Sequence, residues 1–352
     1  MKILIVKLSS LGDVVHAMPA VQDLRQAFPA AQIDWVVERG FAPLVQRCAG
    51  VNRVIACELR RWRKSPLSAQ TRLAWRDFRT ELQREHYDAV IDVQGLSKSA
   101  LVAWLALLTP QGKRYGLANQ TEGSSFEAPA RWVADVAIAL PQHIHAVARS
   151  RELCARALGY DVPKIQSFGL LAQVDKAQIA IKSAANNVAT PHGVVALVHG
   201  TSRADKQWPL AHWHALGKRL NDSGYAVALP HGSDEEQRHA HEIAGPLTHA
   251  HIWPRLGLDD LTDALATCAG VVGVDSGLSH IAVALNLPHV QLYNFDTAWR
   301  TGPQSAAPGL GGAVGQGARQ LSVFAQPTPS IDAVWQAWLA VSGPDAAAAK
   351  AA

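Results

Sequence analysis

The hexapeptide DSGLSH, residues Asp275–His280, has the residue types of an anion site at the start of a helix. It follows the apolar segment GVVGV, so the backbone N–H groups near Ser276, Gly277 and Leu278 would point at a ligand from the helix N-terminus. Phosphate is a ligand that such a site favours. The alternative is an ordinary N-cap, in which Asp275 or Ser276 satisfies the helix end, and both interpretations stay open at this point.

A second loop with phosphate-binding chemistry, His199–Pro209, follows another predicted strand. It contains the hydroxyl groups of Thr201 and Ser202 and the ammonium group of Lys206, and a lysine can stabilise a phosphate leaving group as a point charge. The loop lacks the spacing of a Walker A motif, and neither half of the chain has G-x-G-x-x-G after its first strand. P-loop kinase chemistry and standard dinucleotide binding are therefore disfavoured.

Acidic residues stand at two predicted helix starts. Glu235 begins a helix after a strand, so its carboxylate could hydrogen-bond a ribose diol or simply complement the helix dipole. Asp13 closes the loop SSLGD after the first strand, where its negative charge would repel a phosphate. The helix N-terminus and the nearby Lys7 should lower the pKa of Asp13.

Clustered cations in the first half of the chain indicate an anionic ligand. They are Arg60, Arg61, Arg63 and Lys64 in the segment RRWRK and Lys98 in the segment QGLSKS. Arginine binds phosphate and carboxylate in bidentate fashion, and the intervening Trp62 could stack on a sugar or a base. No helix-turn-helix, RRM or zinc-finger signature accompanies these residues, so nucleic acid is not the predicted partner.

Charge and composition narrow the class of protein. Residues 1–160 contain 21 Lys and Arg against 14 Asp and Glu, whereas residues 161–352 contain 12 against 15. The basic half predicts an anionic ligand or membrane surface, although solvated arginine on helices would give the same count. Four scattered cysteines, the lack of a signal peptide and a longest apolar run of only Ala100–Leu108 favour a cytoplasmic protein with peripheral membrane contact.

Histidine is frequent, but its spacing does not predict a metal site. Four H-x-H pairs occur, at residues 143/145, 212/214, 239/241 and 249/251. No strong carboxylate or cysteine spacing accompanies them. We therefore expect neither a metal nor a cofactor.

Apolar and amphipathic segments alternate along the chain, which predicts an α/β protein with two doubly wound Rossmann-like domains facing a central cleft. The predicted limits are an N-terminal domain at 1–160, a linker at 161–191 and a C-terminal domain at 192–328. A last helix within 329–343 is expected to pack back on the first domain, before a disordered tail at 344–352. Ligands of such sheets bind at the carboxyl ends of the strands.

Seven collinear segments resemble glycosyltransferase family 9, the lipopolysaccharide heptosyltransferases, whose members have the GT-B fold. The segments are ILIVKLSSLGDVVHAMPA, DWVVERGFA, RRWRKS, YDAVIDVQGLSKSA, RSRELCARALGY, TSRADKQWP and VDSGLSH. The RRWRK and DVQGLSKS segments are typical of the members that add the first heptose. Departures are NQTEGSS at residues 119–125, where an arginine is usual, Ser276 in place of threonine and Leu256 in place of methionine.

The resemblance implies inverting transfer of L-glycero-D-manno-heptose from ADP-heptose to the Kdo region of lipid A, at the cytoplasmic face of the inner membrane. On this basis Asp13 is the general base and Lys206 assists the leaving diphosphate. The implied donor site comprises Thr201, Ser202, Lys206, Glu235, Leu256, Asp275, Ser276, Gly277, Leu278 and His280. The implied acceptor site comprises Arg60, Arg61, Arg63, Lys64 and Lys98.

Two alternatives to this function stay open. The nearer is heptosyltransferase II or another family 9 transferase with a different acceptor. The more distant is a non-catalytic module that binds nucleotide sugars, although such a module would need neither Asp13 nor the cations. If the chain is a transferase, Lys206, the loop hydroxyls and the helix N-terminus could stabilise the diphosphate together, so the predicted reaction is metal-independent.

Overall fold

The computed structural model describes residues 1–173, 190–304 and 319–343. The chain divides into two compact units, Met1–Leu170 and Leu171–Ala352. Residues 174–189 of the predicted linker and the predicted tail at 344–352 lie outside the described residues. The start of the predicted linker belongs to the first unit, because Arg151 donates a hydrogen bond to the Pro163 carbonyl at 2.7 Å and Leu170 forms a β-bridge with Cys48.

Six parallel strands and their connecting helices build the first unit. The strands are β1 Lys2–Val6, β2 Gln32–Glu38, β3 Val51–Cys57, β4 His86–Asp92, β5 Leu107–Leu117 and β6 Val136–Ile138. The helices are α1 Leu11–Ala27, α2 Ala42–Val45, α3 Leu59–Trp62, α4 Ala69–Leu82, α5 Ser97–Leu105, α6 Ala130–Val133 and α7 Ala146–Leu158, with a 3-10 turn at Arg39–Phe41. The sheet order is β3-β2-β1-β4-β5-β6.

The second unit repeats this plan. Its strands are β7 Val194–Val198, β8 Ala226–Leu229, β9 Ala250–Ile252, β10 Gly270–Val274, β11 His289–Tyr293 and β12 Gln320–Phe324. Its helices are α8 Leu210–Asp222, α9 Asp234–Ala244, α10 Leu258–Ala266, α11 Gly277–Ala284, α12 Ala298–Thr301 and α13 Ile331–Ser342, with a 3-10 turn at Ala204–Lys206. The sheet order is β12-β11-β10-β7-β8-β9, and all neighbouring strands are parallel.

Both sheets have the strand order 3-2-1-4-5-6 when each is counted from its own first strand, which is the doubly wound Rossmann order. This confirms the predicted α/β fold of two Rossmann-like units. The central strands β1 and β7 are continuous apolar runs, as expected for strands that helices cover on both faces. In each sheet the first and fourth strands are neighbours, and ligands of doubly wound sheets bind where the loops after these two strands diverge.

Each unit has its own apolar core. In the first unit, Phe78 and Leu82 of α4 and Val102 of α5 pack in one buried cluster with the strands, so α4 and α5 cover the same face of the sheet. In the second unit, Trp208 and Trp213 are buried with their ring centroids 4.9 Å apart. No helix in the described ranges is both long enough and apolar enough to cross a bilayer.

The last helix, α13, packs on the second unit. Val334, Trp338 and Val341 are fully buried in the core of that unit, where α13 contacts β11 and β12. The expected contact of this helix with the first domain stays a prediction. Its apolar face is taken up by the sheet of its own unit, since α13 follows β12 directly in the chain and covers the strands beside it.

Candidate functional site

In the first unit, a buried glutamine holds the loop between β1 and α1. The amide oxygen of Gln94 accepts hydrogen bonds from the backbone N–H groups of Leu8 at 2.8 Å and Ser9 at 3.3 Å. The carboxylate of Asp92 accepts hydrogen bonds from the N–H groups of Gln94 at 2.9 Å and Gly95 at 3.1 Å. The loops after β1 and β4 are therefore joined by buried polar contacts, and sequence reasoning missed both side chains.

Asp13 lies in the first turn of α1 with 47% of its side chain exposed. One carboxylate oxygen accepts hydrogen bonds from the Ser10 hydroxyl at 2.8 Å and the Ser10 N–H at 3.1 Å, and the other lies 3.7 Å from the ammonium group of Lys7. Partial desolvation alone would raise the pKa of Asp13, but Lys7 and Ser10 hold it well below the usual range. The predicted direction of this shift is confirmed.

Lys7 is only 4% exposed, although it carries a charge. Burial lowers the pKa of Lys7 to about 8, with Asp13 opposing the shift and the Arg149 charge adding to it. Its ammonium group is therefore placed to lower the pKa of Asp13 by charge attraction. The sequence signal for a buried lysine is its position inside the apolar run KILIVKL. A lysine at this position is buried together with the strand.

Two of the predicted acceptor cations lie beside this loop. The Lys98 ammonium group donates a hydrogen bond to the Ser9 hydroxyl at 3.0 Å. Burial and the Arg60 charge lower the pKa of Lys98. Glu38, which sequence reasoning missed, accepts a hydrogen bond from the Arg60 N–H at 3.3 Å, and burial raises the pKa of its carboxyl group against the effect of both cations. Lys98 thus brings positive charge to the loop that leads to Asp13, while Arg60 lies beside Glu38.

The remaining predicted acceptor residues lie on the surface. Arg61, Arg63 and Lys64 are exposed, and Arg61 pairs with Glu58 at 3.1 Å. Trp62 is buried and packs edge-on against Trp75, with the ring centroids 5.5 Å apart. The suggestion that Trp62 stacks on a sugar or base is therefore wrong, because its indole ring is used in the core of the first unit.

In the second unit, the loops after β7 and β10 meet in an ion pair. The Lys206 ammonium group lies 2.5 Å from one carboxylate oxygen of Asp275. The other oxygen lies 3.4 Å from His280 Nε2, and the side chains of Gln291 and Thr301 donate to it at 3.4 Å each. Sequence reasoning found the first three residues but missed Gln291 and Thr301.

The carboxylate of Asp275 is 6% exposed but stays ionised. Burial alone would raise its pKa, whereas the hydrogen bond and charge of His280, together with Lys206, hold the pKa well below the usual range. The Lys206 side chain is 21% exposed, so its ammonium group can reach a ligand while Asp275 orients it. The ion pair therefore holds the Lys206 ammonium group, with its N–H donors, in a fixed place at this end of the sheet.

The start of α11 adds hydrogen-bonding groups to this charge. Ser276 occupies the N-cap position, but its hydroxyl group is buried, makes no cap bond and has no hydrogen-bond partner among the described residues. An ordinary N-cap through this hydroxyl is therefore not formed. A ligand oxygen at the helix start would satisfy the hydroxyl group, along with the N–H groups that follow it.

Gly273 allows α11 to begin this close to the sheet. A Cβ atom at Gly273 would lie 2.5 Å from the Ser279 hydroxyl oxygen and 2.7 Å from the Val198 Cβ. The Ser279 hydroxyl group itself donates a hydrogen bond to the Val274 carbonyl at 2.6 Å. The first turn of α11 therefore packs directly over the ends of β7 and β10.

The loop that contains Lys206 is held in place by a residue that follows a different strand. The Asn294 side chain, which follows β11, donates hydrogen bonds to the carbonyl groups of Asp205 and Gln207 at 2.9 Å each. Thr201 is half-buried and Ser202 is exposed in the same loop. Asn294 thus positions the turn that carries Lys206, a role that the sequence did not indicate.

The N-cap of α9 is Ser233, which is assisted by Glu236. Its carboxylate accepts a hydrogen bond from the Gly232 N–H at 2.6 Å, and its own N–H donates to the Ser233 hydroxyl at 3.1 Å. Glu235 is exposed, so its carboxylate can meet a ligand. Leu256 is half-buried between β9 and α10.

A buried histidine follows β7. His199 is fully buried, its ring lies 5.1 Å from that of His239, and neither of its ring nitrogens has a hydrogen-bond partner among the described residues. Burial lowers the pKa of His199 to about 4. Across residues 1–173, 190–304 and 319–343, no three His, Cys, Asp or Glu side chains are grouped to hold a metal ion.

Comparison with known proteins gives the family. Residues 75–313 match the family described as "Glycosyltransferase family 9 (heptosyltransferase)". The chain belongs to glycosyltransferase family 9. Family 9 is also indicated by a relative from Escherichia coli (strain K12), "Lipopolysaccharide heptosyltransferase 1", which is 39% identical over 90% of this chain and 92% of the relative. "Lipopolysaccharide heptosyltransferase 2" from the same strain is 28% identical over 83% of this chain and 82% of that protein.

Solved structures agree with this assignment to family 9. "E. coli heptosyltransferase WaaC with ADP" has a TM-score of 0.79 and 34% identity, and the match covers 96% of this chain and 98% of that one. The same coverage is found for "E. coli heptosyltransferase WaaC with ADP-2-deoxy-2-fluoro heptose", with a TM-score of 0.74 and 35% identity. In this family 9 chain, the structure brings together two groups of predicted residues. Arg60 and Lys98 lie around Glu38, with Lys98 bonded to Ser9 in the loop that leads to Asp13. Lys206, Ser276 and His280 lie around Asp275.

Proposed function

We propose that the chain is an inverting heptosyltransferase of lipopolysaccharide inner-core synthesis. It would move L-glycero-D-manno-heptose from ADP-heptose to the Kdo region of lipid A. The observation that carries the proposal is the fixed charge of Lys206 beside the start of α11, which is suited to a diphosphate leaving group. The greater similarity to heptosyltransferase 1 than to heptosyltransferase 2 supports the choice of acceptor.

The proposed donor site lies in the second unit. The Lys206 ammonium group, the hydroxyl groups of Thr201 and Ser202 and the N–H groups at Gly277 and Leu278 would stabilise the charge that develops on ADP, without a divalent ion. Asp275 and His280 would orient Lys206 and line the heptose pocket, with Ser276 donating to a phosphate oxygen. The exposed Glu235 would bind the ribose diol, and Leu256 would contact the adenine.

The proposed acceptor site lies in the first unit. Kdo carries a carboxylate and lipid A carries phosphates, so a cluster of cations is the complementary surface. The residues in this role are Arg60, Arg61, Arg63, Lys64 and Lys98. Lys98 is held against the loop that leads to Asp13 by its hydrogen bond to Ser9, which supports acceptor binding next to the base.

In the proposed reaction, Asp13 takes the proton of the acceptor hydroxyl group. The acceptor oxygen forms a bond to the anomeric carbon, while the bond from that carbon to the β-phosphate oxygen breaks and ADP leaves with the electron pair. The depressed pKa makes Asp13 a weak base, so proton transfer occurs late, when the acceptor oxygen is already bonding to carbon. A single carboxylate is enough for this displacement.

The proposed place of action is the cytoplasmic face of the inner membrane, with the protein bound peripherally. A lipid acceptor requires the enzyme to work at a bilayer surface. The positive charge of the first 160 residues supports attraction to anionic headgroups.

The decisive experiment incubates the purified protein with ADP-heptose and Kdo-lipid A in EDTA and weighs the lipid product. We expect the mass to increase by one heptosyl residue, with a new linkage of inverted anomeric configuration. Modification only of an acceptor that already carries one heptose would instead identify the heptosyltransferase II activity. Binding of ADP-heptose without turnover on either acceptor would identify a non-catalytic module. Turnover restored only by a divalent ion would refute the role given to Lys206.

A further inference from the structure

One side of the first unit exposes several large apolar side chains. We call it the α4–α6 surface, formed by the outer sides of α4, α5 and α6 and the loop at residues 63–68. Its large apolar residues, with their exposed fractions, are Leu67 at 83%, Leu73 at 50%, Leu101 at 41%, Trp104 at 60% and Trp132 at 74%. Two exposed tryptophans on neighbouring helices are unusual for a surface that meets only water.

These side chains share one side of the molecule because their helices pack together. α4 and α5 cover the same face of the sheet, and the Gln83 side chain after α4 donates a hydrogen bond to the Leu105 carbonyl of α5 at 2.8 Å. α6 packs against α5. Leu101 and Trp104 are three residues apart on α5, which places them on one side of that helix.

The α4–α6 surface is also strongly basic. Residues 58–84 contain eight arginines and lysines against three acids. All eight cations are exposed, namely Arg60, Arg61, Arg63, Lys64, Arg72, Arg76, Arg79 and Arg84. Among the three acids, Glu58 already pairs with Arg61. Residues 58–84 therefore carry a net charge of +5, out of +7 for residues 1–160, beside the exposed apolar residues.

We propose that the α4–α6 surface docks on an anionic phospholipid bilayer. Tryptophan rings favour the boundary between headgroups and acyl chains, and the leucines beside them would enter the same layer. Arginine and lysine around them are attracted by anionic headgroups. A second copy of the chain is a poor occupant, because two surfaces of the same charge repel each other.

This inference deepens the proposed function, since a lipid acceptor would be held in the same bilayer, but its test does not depend on turnover. The full chain is sedimented with vesicles of phosphatidylcholine alone or with 30 mol% phosphatidylglycerol added, in the absence of lipid A and ADP-heptose. We expect binding to the anionic vesicles only, weakened by salt.

Two pairs of variants test the residues of the surface. The double variant Trp104→Ala/Trp132→Ala should lower the partition coefficient by about 10-fold, because it removes the apolar anchors but no charge. The double variant Arg72→Glu/Arg76→Glu should lower it by at least about 10-fold at low salt, because it reverses two charges. Matched controls on the second unit are Phe324→Ala/Leu339→Ala and Lys218→Glu/Arg238→Glu, which should bind vesicles like the unchanged protein.

The remaining outcomes separate docking from function. Transfer to vesicle-embedded acceptor should fall in the Trp104→Ala/Trp132→Ala variant, while transfer to a soluble, deacylated acceptor should not change. Equal binding of both vesicle types, or equal binding by the variants and the unchanged protein, would overturn the docking surface. A dimer that is lost in the tryptophan variant would assign the surface to a second copy instead. Vesicle binding without any heptose transfer would leave docking intact and refute only the proposed function.

Discussion

The Lys206 ammonium group and the Asp275 carboxylate lie 2.5 Å apart although 69 residues separate them in the chain. They meet because β7 and β10 are neighbouring parallel strands, so the loops at their carboxyl ends share one edge of the sheet. Removing one partner of such a buried pair leaves the other uncompensated. The pair is therefore the most sensitive point of the proposed donor site.

We expect Lys206→Ala to lower kcat/KM by about 10²–10³-fold, because a positioned charge on the leaving group is lost. Lys206→Arg should recover part of this loss, since it restores the charge without the geometry of the ammonium group. Steady-state kinetics with ADP-heptose checks both values. Lys218→Ala is the control, because Lys218 is exposed and pairs only with Asp222 four residues away. Equal kinetics in Lys206→Ala and the control would exclude Lys206 from catalysis.

We expect Asp13→Asn to lower kcat by about 10²-fold, the usual effect of losing a general base, with little change in donor KM. The asparagine oxygen can still accept the hydrogen bonds from Ser10, so the start of α1 is kept. Asp135→Asn is a matched control, because the side chain of Asp135 is 48% exposed and that of Asp13 is 47% exposed. A kcat that is the same in both variants would show that Asp13 is not the base.

We expect the free energy of unfolding to fall as the pH drops below about 6.5. Burial lowers the pKa of His199 and of His289 to about 4 in the folded protein. Their pKa in the unfolded chain is about 6.5. Between these values the unfolded chain binds more protons, so acid favours unfolding, by up to about 3 kcal/mol for each histidine by pH 4.

Urea unfolding of His199→Phe at pH 7 and pH 5 tests this explanation. The difference in unfolding free energy between the two pH values should be smaller in the variant than in the unchanged protein, with the remainder due in part to His289. His241→Phe changes an exposed histidine of the same unit and should leave the difference as it is. An unchanged difference in His199→Phe would contradict the assignment.

We expect Gly273→Ala to destabilise the second unit by about 1–3 kcal/mol, because the added methyl group has no space between Ser279 and Val198. The first turn of α11 must move to accept it, so the affinity for ADP should also fall. Urea unfolding and ADP titration measure the two effects. In Gly245→Ala the nearest atoms to the new Cβ lie 3.6 Å away. That control should lose neither stability nor ADP affinity, and equal behaviour of both variants would refute the packing explanation.

The repeating βα pattern could be predicted from the sequence because it is local. Strands such as β7 and β10 are short apolar runs followed by polar loops, so the sequence alone indicates them. The three-residue strand β6 and the four-residue helices α3, α6 and α12 were not predicted, because such short segments carry too little periodicity. The packing of α13 on the sheet of its own unit was not predicted, since an apolar helix face does not specify which sheet it covers.

The residue types in the loops were enough to identify candidate site residues from the sequence alone. They are Asp13, Lys206 and the RRWRK cations. Tertiary structure decided which of them work together: it pairs Lys206 with Asp275, leaves Glu235 exposed and buries Trp62. Local patterns arise from neighbours along the chain, so the sequence displays them directly. Ion pairs, burial and shifted pKa values arise from contacts between distant segments, which exist only once the order of the strands has brought their loops together.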